Sequence, residues 1–263
     1  MSFPQCFERE SRVFLNELDS GLRIAGMTDK GEKEYVSLMI PWEFLDSANV
    51  PGQKKDLCLY RRGNEYSIRI GGAELMNSRV HASEDSLAEL ACNKIAPQPH
   101  PHFLIGGLGM GYTLAAALKY SKDDAVITVA EIVPTVVEWN RGALADLAGD
   151  PLRDNRVTVR EIDVAKIIKS DHQTYNAILL DVDNGPEGLT RYGNDWLYSV
   201  SGLKSAYAAL KPAGVLAVWS AGPDKEFPKH LQSAGFIVEE NRVRARGPRG
   251  GARHTIWIAA KGP

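Results

Sequence analysis

The sequence of 263 residues predicts an α/β protein: a small β-rich N-terminal domain, then a doubly wound, Rossmann-like parallel sheet that ends in an antiparallel hairpin. Three features indicate this fold. From Phe103 onward, short apolar runs alternate with helix-forming runs, the pattern of a parallel sheet covered by helices on both faces. The last two runs are joined only by a glycine-rich link. Before residue 96, short alternating runs separated by turn residues indicate strands.

Residues 1–95 are expected to form the small domain. One hairpin is predicted in "SRVFLNELDSGLRIAGM", with its turn near 19–21, and another in "DLCLYRRGNEYSIRIGG", with its turn at 62–64. Glycine and asparagine suit the left-handed backbone of tight hairpin turns. The run "ASEDSLAELACNKI" then predicts a helix that Ser83 caps.

Residues 96–263 are expected to form the second domain. Its predicted strands lie at 103–106, 126–131, 157–161, 176–181 and 214–219, and its predicted helices lie near 111–121, 133–148, 164–169, 196–211 and 224–234. The closing runs "GFIVEENRVRAR" and "RHTIWIAAK" predict an antiparallel hairpin at the edge of the sheet.

The stretch "FLIGGLGMGYT" places a glycine turn between the first strand and the first helix of the second domain. Its glycines are Gly106, Gly107, Gly109 and Gly111. Such a turn lets the backbone approach a ligand closely, and the helix start offers unpaired N–H groups and a positive dipole end. The spacing is G-x-G-x-G rather than the G-x-G-x-x-G of dinucleotide sites. We therefore expect a nucleoside ligand of another kind.

Acidic residues recur where the predicted strands end. Glu131 closes the second strand, twenty residues after Gly111, where a carboxylate can accept both hydroxyls of a ribose. Asp163 follows the third strand, and Asp181 and Asp183 lie at the end of the fourth. Any single acid there could instead cap the next helix. Because ligands of doubly wound sheets bind at the carboxyl ends of the strands, their recurrence predicts a binding site.

The glycine turn followed by an acid resembles motif I of the class I S-adenosylmethionine-dependent transferases. From Tyr66 onward, the chain also resembles the spermidine synthase family of aminopropyltransferases. The matching pieces occur in the family's order: "YSIRIGG", "SEDSLAEL", "IGGLGMG", "AEIVPTVVEWNR", "DPLRDNRVTVREID", "YNAILLDVDNGPEGL" and "LKPAGVLAVWS". This resemblance implies a class I methyltransferase fold with its C-terminal hairpin.

The resemblance also implies roles for these residues. S-adenosylmethionine or its decarboxylated form would be the co-substrate, with the four glycines around its sulfonium tail. Glu131 would hold the ribose, Asp163 the adenine, and Asp181 would be the catalytic carboxylate that faces an incoming amine, with Asp183 beside it. Members of the family commonly dimerise, so a homodimer is a further expectation.

The chain departs from the family's pattern on the acceptor side. Gly109 stands where the family has an aspartate that meets the amine end of the donor. A glutamine expected after the second hairpin is replaced by Leu75 or Met76, and a tyrosine and a histidine expected on the gatekeeping helix are replaced by Leu87 and Ala88. The nucleoside half of the site is thus retained better than the acceptor half.

The predicted function is a transferase that moves an aminopropyl or a methyl group to a nucleophilic acceptor. The family resemblance favours aminopropyl transfer, whereas the missing acid at Gly109 favours methyl transfer. An anionic acceptor would suit the arginines of the C-terminal hairpin, although a solvated loop also explains them and is the commoner case: Arg242, Arg244, Arg246, Arg249 and Arg253. A non-catalytic nucleoside-binding protein is a third hypothesis, against which the retention of Asp181 argues.

Composition limits the partners. A hydrophobic content of 44% and a net charge of −2 are those of an ordinary globular protein, and they give no support for a nucleic-acid or membrane partner. The first thirty residues contain no signal-peptide core, so we expect a cytoplasmic protein. The cysteines have no metal-ligand spacing, and Asp181, Asp183 and Asn184 lack a second ligand cluster, so no metal is expected.

Overall fold

The computed structural model describes residues 40–95, 98–182 and 196–263. Within these ranges the chain forms a four-stranded sheet, a seven-stranded sheet and α-helices, so it is a mixed α/β protein with a small N-terminal sheet, as predicted. Asp183 and the hairpin turn predicted near 19–21 lie outside the described residues.

The small sheet is antiparallel throughout, in the order β1-β2-β3-β4. Its strands are β1 (Glu43–Ala48), β2 (Leu57–Arg62), β3 (Glu65–Ile70) and β4 (Ala73–Asn77). The turn between β2 and β3 contains Gly63 at a φ of 59°, which confirms the second predicted hairpin.

The helix α1 (Ala82–Lys94) follows the small sheet. The prediction that Ser83 caps it is wrong, because the helix begins two residues earlier than a Ser83 cap requires, with His81 at the N-cap position. The Ser83 hydroxyl instead donates to Oε2 of Glu84 at 2.6 Å. Leu87 and Ala88 are fully buried in the core, so the positions that depart from the family's pattern on this helix face inward.

The large sheet has the order β10-β11-β9-β8-β5-β6-β7. Its strands are β5 (His102–Gly106), β6 (Val126–Glu131), β7 (Val157–Glu161), β8 (Tyr175–Leu180), β9 (Leu210–Ser220), β10 (Ile237–Arg244) and β11 (Arg253–Ala260). Strands β5 to β9 pair with one another in parallel, whereas β11 runs antiparallel to β9 and β10 runs antiparallel to β11. This confirms a doubly wound sheet with an antiparallel hairpin at one edge.

The remaining helices connect these strands: α2 (Tyr112–Tyr120), α3 (Pro134–Arg141), α4 (Val164–Ser170), α5 (Val200–Ala209) and α6 (Phe227–Ser233). The helix predicted over 133–148 is shorter, because Gly142 leaves the helical conformation at a φ of −126° and a ψ of −107°. A separate 3-10 turn follows at Ala145–Ala148. In the described part of the chain, none of the helices has the length and apolar character needed to cross a membrane.

The hydrophobic core continues from one sheet to the other. Leu59 and Ile68 of the small sheet belong to the same buried cluster as Phe103 and Ile105 of β5. Leu104, between them in β5, belongs to a second cluster on the opposite face of the large sheet. Side chains of a strand alternate between its two faces, so the small sheet packs over one face of the large sheet.

Candidate active site

A cavity of about 390 Å³ opens where the small sheet meets the carboxyl ends of the large sheet's central strands. The glycine turn and the strand ends that follow it form one wall, and β4 and the start of α1 form another. The polar and turn residues that line it are Gln53, Glu74, Asn77, Ser83, Glu84, Gly107, Gly109, Glu131, Asp163, Asp181 and His254.

The four glycines of the turn have different structural roles. Gly107 and Gly109 line the cavity, at φ angles of 88° and 53°, whereas Gly106 and Gly111 are not among its lining residues. A Cβ at Gly107 would collide with the carbonyl oxygen of Asp181. Gly111 is the N-cap of α2, at a φ of 83°. The turn therefore needs glycine at Gly107 for both its backbone angle and its closeness to β8.

Glu131, at the end of β6, binds the glycine turn through its side-chain carboxylate. Its side chain is buried, at 7% exposure. Oε2 accepts a hydrogen bond from the N–H of Leu108 at 2.9 Å, and Oε1 accepts one from the N–H of Val133 at 2.9 Å. The same carboxylate also lines the cavity, so the residue that holds the turn borders the space where a ligand would bind.

Asp163 both caps a helix and lines the cavity. Its Oδ1 accepts a hydrogen bond from the N–H of Ala165 at 2.8 Å, as an N-cap residue of α4 does. Its other carboxylate oxygen accepts no hydrogen bond from the residues described here. The two interpretations of this acid from the sequence are therefore compatible.

Asp181 lies one residue beyond β8 and faces the start of α2. The hydroxyl of Thr113, the second residue of that helix, donates to Oδ2 of Asp181 at 2.6 Å. Burial raises the pKa of Asp181, and the Thr113 hydrogen bond opposes that rise only in part. This carboxyl group therefore holds its proton more tightly than an exposed aspartate does.

Glu84, in the first turn of α1, is a cavity residue that the sequence did not reveal. Burial, followed by the charge of Asp181, raises its pKa to about 7, and the Ser83 hydroxyl lowers it slightly. Burial and the charge of Asp181 therefore keep Glu84 protonated to a higher pH than an exposed glutamate. The sequence offered no specific signal, because an acid in the first turn of a helix is ordinary.

Met76 of β4 lies over Gly109. A Cβ built on Gly109 would lie 2.8 Å from Cε and 3.1 Å from Sδ of Met76. Both residues line the cavity. Gly109, where the resemblance implies an aspartate, is thus covered by Met76, one of the two positions, Leu75 and Met76, where it implies a glutamine.

The cavity is strongly acidic. Five carboxylates line it, at Glu74, Glu84, Glu131, Asp163 and Asp181, and its described lining contains no lysine or arginine. The arginines of the β10–β11 hairpin are all absent from that lining. His254 is the basic residue present, and burial lowers its pKa. A cleft lined by one sign of charge attracts ligands of the opposite sign.

The described ranges contain no group of three or more histidine, cysteine, aspartate and glutamate side chains that could hold a metal ion.

Comparison with known proteins found relatives in sequence, although no protein-family model matches the chain. It is 30% identical over 141 residues to a polyamine aminopropyltransferase of Prochlorococcus marinus strain NATL1A, a match that covers 52% of this chain and 46% of the relative. It is 28% identical over 126 residues to a polyamine aminopropyltransferase of Sulfolobus acidocaldarius, covering 46% of this chain and 39% of the relative. The matches span less than half the length of both relatives.

Solved structures share the fold. Spermidine synthase from Thermotoga maritima superposes with a TM-score of 0.66 at 19% identity, covering 83% of this chain and 73% of that one. A spermidine synthase in complex with the transition state analogue AdoDATO gives a TM-score of 0.65 at 18% identity, covering 83% of this chain and 72% of that one.

Proposed function

We propose that this chain, spermidine-synthase-like in sequence and in fold, transfers an aminopropyl group from decarboxylated S-adenosylmethionine to an amine. The observation that carries the proposal is the acidic cavity beside the glycine turn, lined by five carboxylates and, in its described part, by no lysine or arginine. The donor is a sulfonium cation with an ammonium group, and amines are cations before they react. An acidic cavity attracts both.

The nucleoside part of the donor fits the wall formed by the strand ends. In this proposal Glu131 accepts the two ribose hydroxyls while it holds the turn, and the second carboxylate oxygen of Asp163 accepts from the adenine amino group. Gly107 and Gly109 admit the sulfonium tail, and Gly106 and Gly111 shape the turn around it. The position of both acids in the cavity wall supports these roles, and so does the second carboxylate oxygen of Asp163, which accepts no hydrogen bond among the described residues.

The acceptor's proton goes to Asp181. The amine nitrogen attacks the carbon beside the sulfonium, the C–S bond breaks with its electron pair on sulfur, and neutral methylthioadenosine leaves. The nitrogen loses one proton in the process. Asp181 is suited to accept it because its pKa is raised towards the working range of a general base. Asp183, outside the described residues, is proposed to orient the acceptor.

Methyl transfer is the second candidate. It is favoured by Gly109, where Met76 occupies the space of the acid that the family's pattern places there. An anionic acceptor is disfavoured, because it would be repelled by the carboxylates of the cavity. The arginines of the hairpin do not offset this repulsion, since none lies in the cavity's described lining.

Products distinguish the two reactions. The purified protein is incubated with decarboxylated S-adenosylmethionine or S-adenosylmethionine, each with a panel of diamines, and products are identified by mass spectrometry. We expect methylthioadenosine and an aminopropylated amine from the decarboxylated donor alone. Asp181→Asn should lower that rate by about 100-fold or more, and Asp146→Asn on the exposed surface should not. S-adenosylhomocysteine from S-adenosylmethionine, or no product from either donor, would contradict aminopropyl transfer.

A further inference from the structure

We propose that Glu84, paired with Asp181, holds the terminal ammonium group of the donor's three-carbon arm. This inference rests on the proposed function and assigns a residue to a task that Gly109 cannot perform. Its basis is the position, charge and partners of Glu84 in the cavity.

Glu84 lies beside the part of the turn that the donor's tail would reach. It and Ser83 line the cavity together with Met76, which lies over Gly109. The start of α1 packs against the start of α2, because the His81 ring at the N-cap of α1 stacks on Tyr112, the first residue of α2, with the ring centroids 4.1 Å apart. Burial, and then the charge of Glu84, raise the pKa of the Tyr112 phenol to about 12. Glu84 therefore lines the cavity from the wall that packs against the helix after the turn.

Glu84 forms no ion pair with a lysine, an arginine or a histidine among the described residues. Its side-chain hydrogen bond comes from the neutral hydroxyl of Ser83. The charge of His81, at the N-cap of the helix, opposes the rise in the pKa of Glu84, but the His81 ring forms its 2.9 Å pair with Asp85. Beside Asp181, a partly buried carboxylate without an ion-pair partner is costly unless it is protonated or meets a cation.

Two of the other cavity acids each accept hydrogen bonds from two protein donors. Glu74 accepts from Ser67 at 2.8 Å and from Asn77 at 2.7 Å, and Glu131 accepts from two backbone N–H groups. Asp163 caps α4. The side-chain donors to Glu84 and Asp181 are single neutral hydroxyls, and Glu84 has the raised pKa, so an ammonium group bound there would displace its proton.

The test uses two thioethers that lack the sulfonium charge and differ only in the ammonium group: 5'-(3-aminopropyl)thioadenosine and 5'-propylthioadenosine. Both are titrated calorimetrically into the wild-type protein, Glu84→Gln and Glu89→Gln. Glu89 lies on the same helix but is not a cavity-lining residue. We expect the wild type and Glu89→Gln to prefer the aminopropyl compound by about tenfold or more. Glu84→Gln should lose that preference and keep its affinity for the propyl compound.

Proton release is a second readout. Titrations at pH 7 in two buffers of different ionisation enthalpy should show release of up to about one proton by the wild type with the aminopropyl compound, and none by Glu84→Gln. Glu84→Asp, which keeps the charge on a shorter arm, should retain part of the preference. A full preference in a folded Glu84→Gln protein, or equal binding of both compounds by the wild type, would overturn the inference alone. If the wild type binds neither compound, the proposed function fails together with the inference.

Discussion

At the scale of the residue, the facing carboxyl groups of Glu84 and Asp181 should make stability depend on pH. The pKa of Glu84 rises from 4.5 to about 7 on folding. A group with a raised pKa stabilises the fold fully below its unfolded value, and this stabilisation is lost as the pH rises through the folded value. The free energy of unfolding should therefore fall between about pH 5 and pH 8.

Glu84→Gln removes this titrating group. Relative to wild type, the variant should gain on the order of 1–3 kcal/mol in the free energy of unfolding at pH 8 and much less at pH 5. Urea denaturation at the two pH values measures the difference, with Glu89→Gln as the matched control. An unchanged pH dependence in Glu84→Gln would show that Glu84 does not titrate as described.

Glu131 should matter both to the turn and to the ligand. In Glu131→Gln, one of the two backbone N–H groups at Leu108 and Val133 would face an amide N–H₂ instead of an oxygen. An unpaired buried donor costs about 1–3 kcal/mol. We expect that loss in urea denaturation, with a drop of about tenfold or more in affinity for methylthioadenosine.

The control for Glu131 is Glu161→Gln. Glu161 is the register partner of Glu131 at the end of the neighbouring strand β7 and is exposed. The Glu161→Gln substitution should leave both the free energy of unfolding and the nucleoside affinity unchanged. Equal affinity losses in the two variants would mean that the general charge of this edge, rather than the Glu131 carboxylate, attracts the ligand.

At the scale of the element, the glycine turn between β5 and α2 depends on Gly107 for two reasons. Gly107 and Gly72 have similar backbone angles, with φ of 88° and 84°, but a Cβ at Gly72 would meet no atom within 4 Å. Gly72→Ala should therefore cost only the backbone strain, about 1 kcal/mol. Gly107→Ala should cost several-fold more, because the new methyl group also collides with the backbone of Asp181.

Thermal denaturation of the two glycine variants and the wild type measures the contrast, and methylthioadenosine titration adds a functional readout. The Gly107→Ala variant should lose ligand binding even if the protein folds, because the turn and the Asp181 backbone would have to move apart. Equal destabilisation by the two substitutions would contradict the close contact between this turn and the end of β8.

The sequence predicted those elements whose pattern is local. Apolar runs predicted the parallel strands, and the glycine turn predicted the junction of β5 and α2. Helix ends were less predictable, because Gly142 stops α3 early and His81 rather than Ser83 precedes α1. Glu84 was missed for a different reason: its meeting with Asp181 depends on the packing of α1 against residues almost a hundred positions later in the chain.

At the scale of the whole molecule, the cavity exists because two sheets share one core. Leu59 and Ile68 of the small sheet pack into the same buried cluster as Phe103 and Ile105 of the large sheet. The Trp139 indole N–H of α3 also donates to Asp46 of β1 at 2.8 Å. These contacts fix β4 and α1 opposite the glycine turn. The boundary near residue 95, the homodimer and the cytoplasmic location stay predictions.

The central claim is that the acidic cavity selects a cationic nucleoside donor without a carboxylate. Parallel calorimetric titration of the wild-type protein with decarboxylated S-adenosylmethionine, S-adenosylmethionine and methylthioadenosine tests it most directly. We expect the decarboxylated form to bind most tightly, because it carries two positive charges and no carboxylate to be repelled. Tighter binding of S-adenosylmethionine, or no binding of any of the three, would contradict the claim.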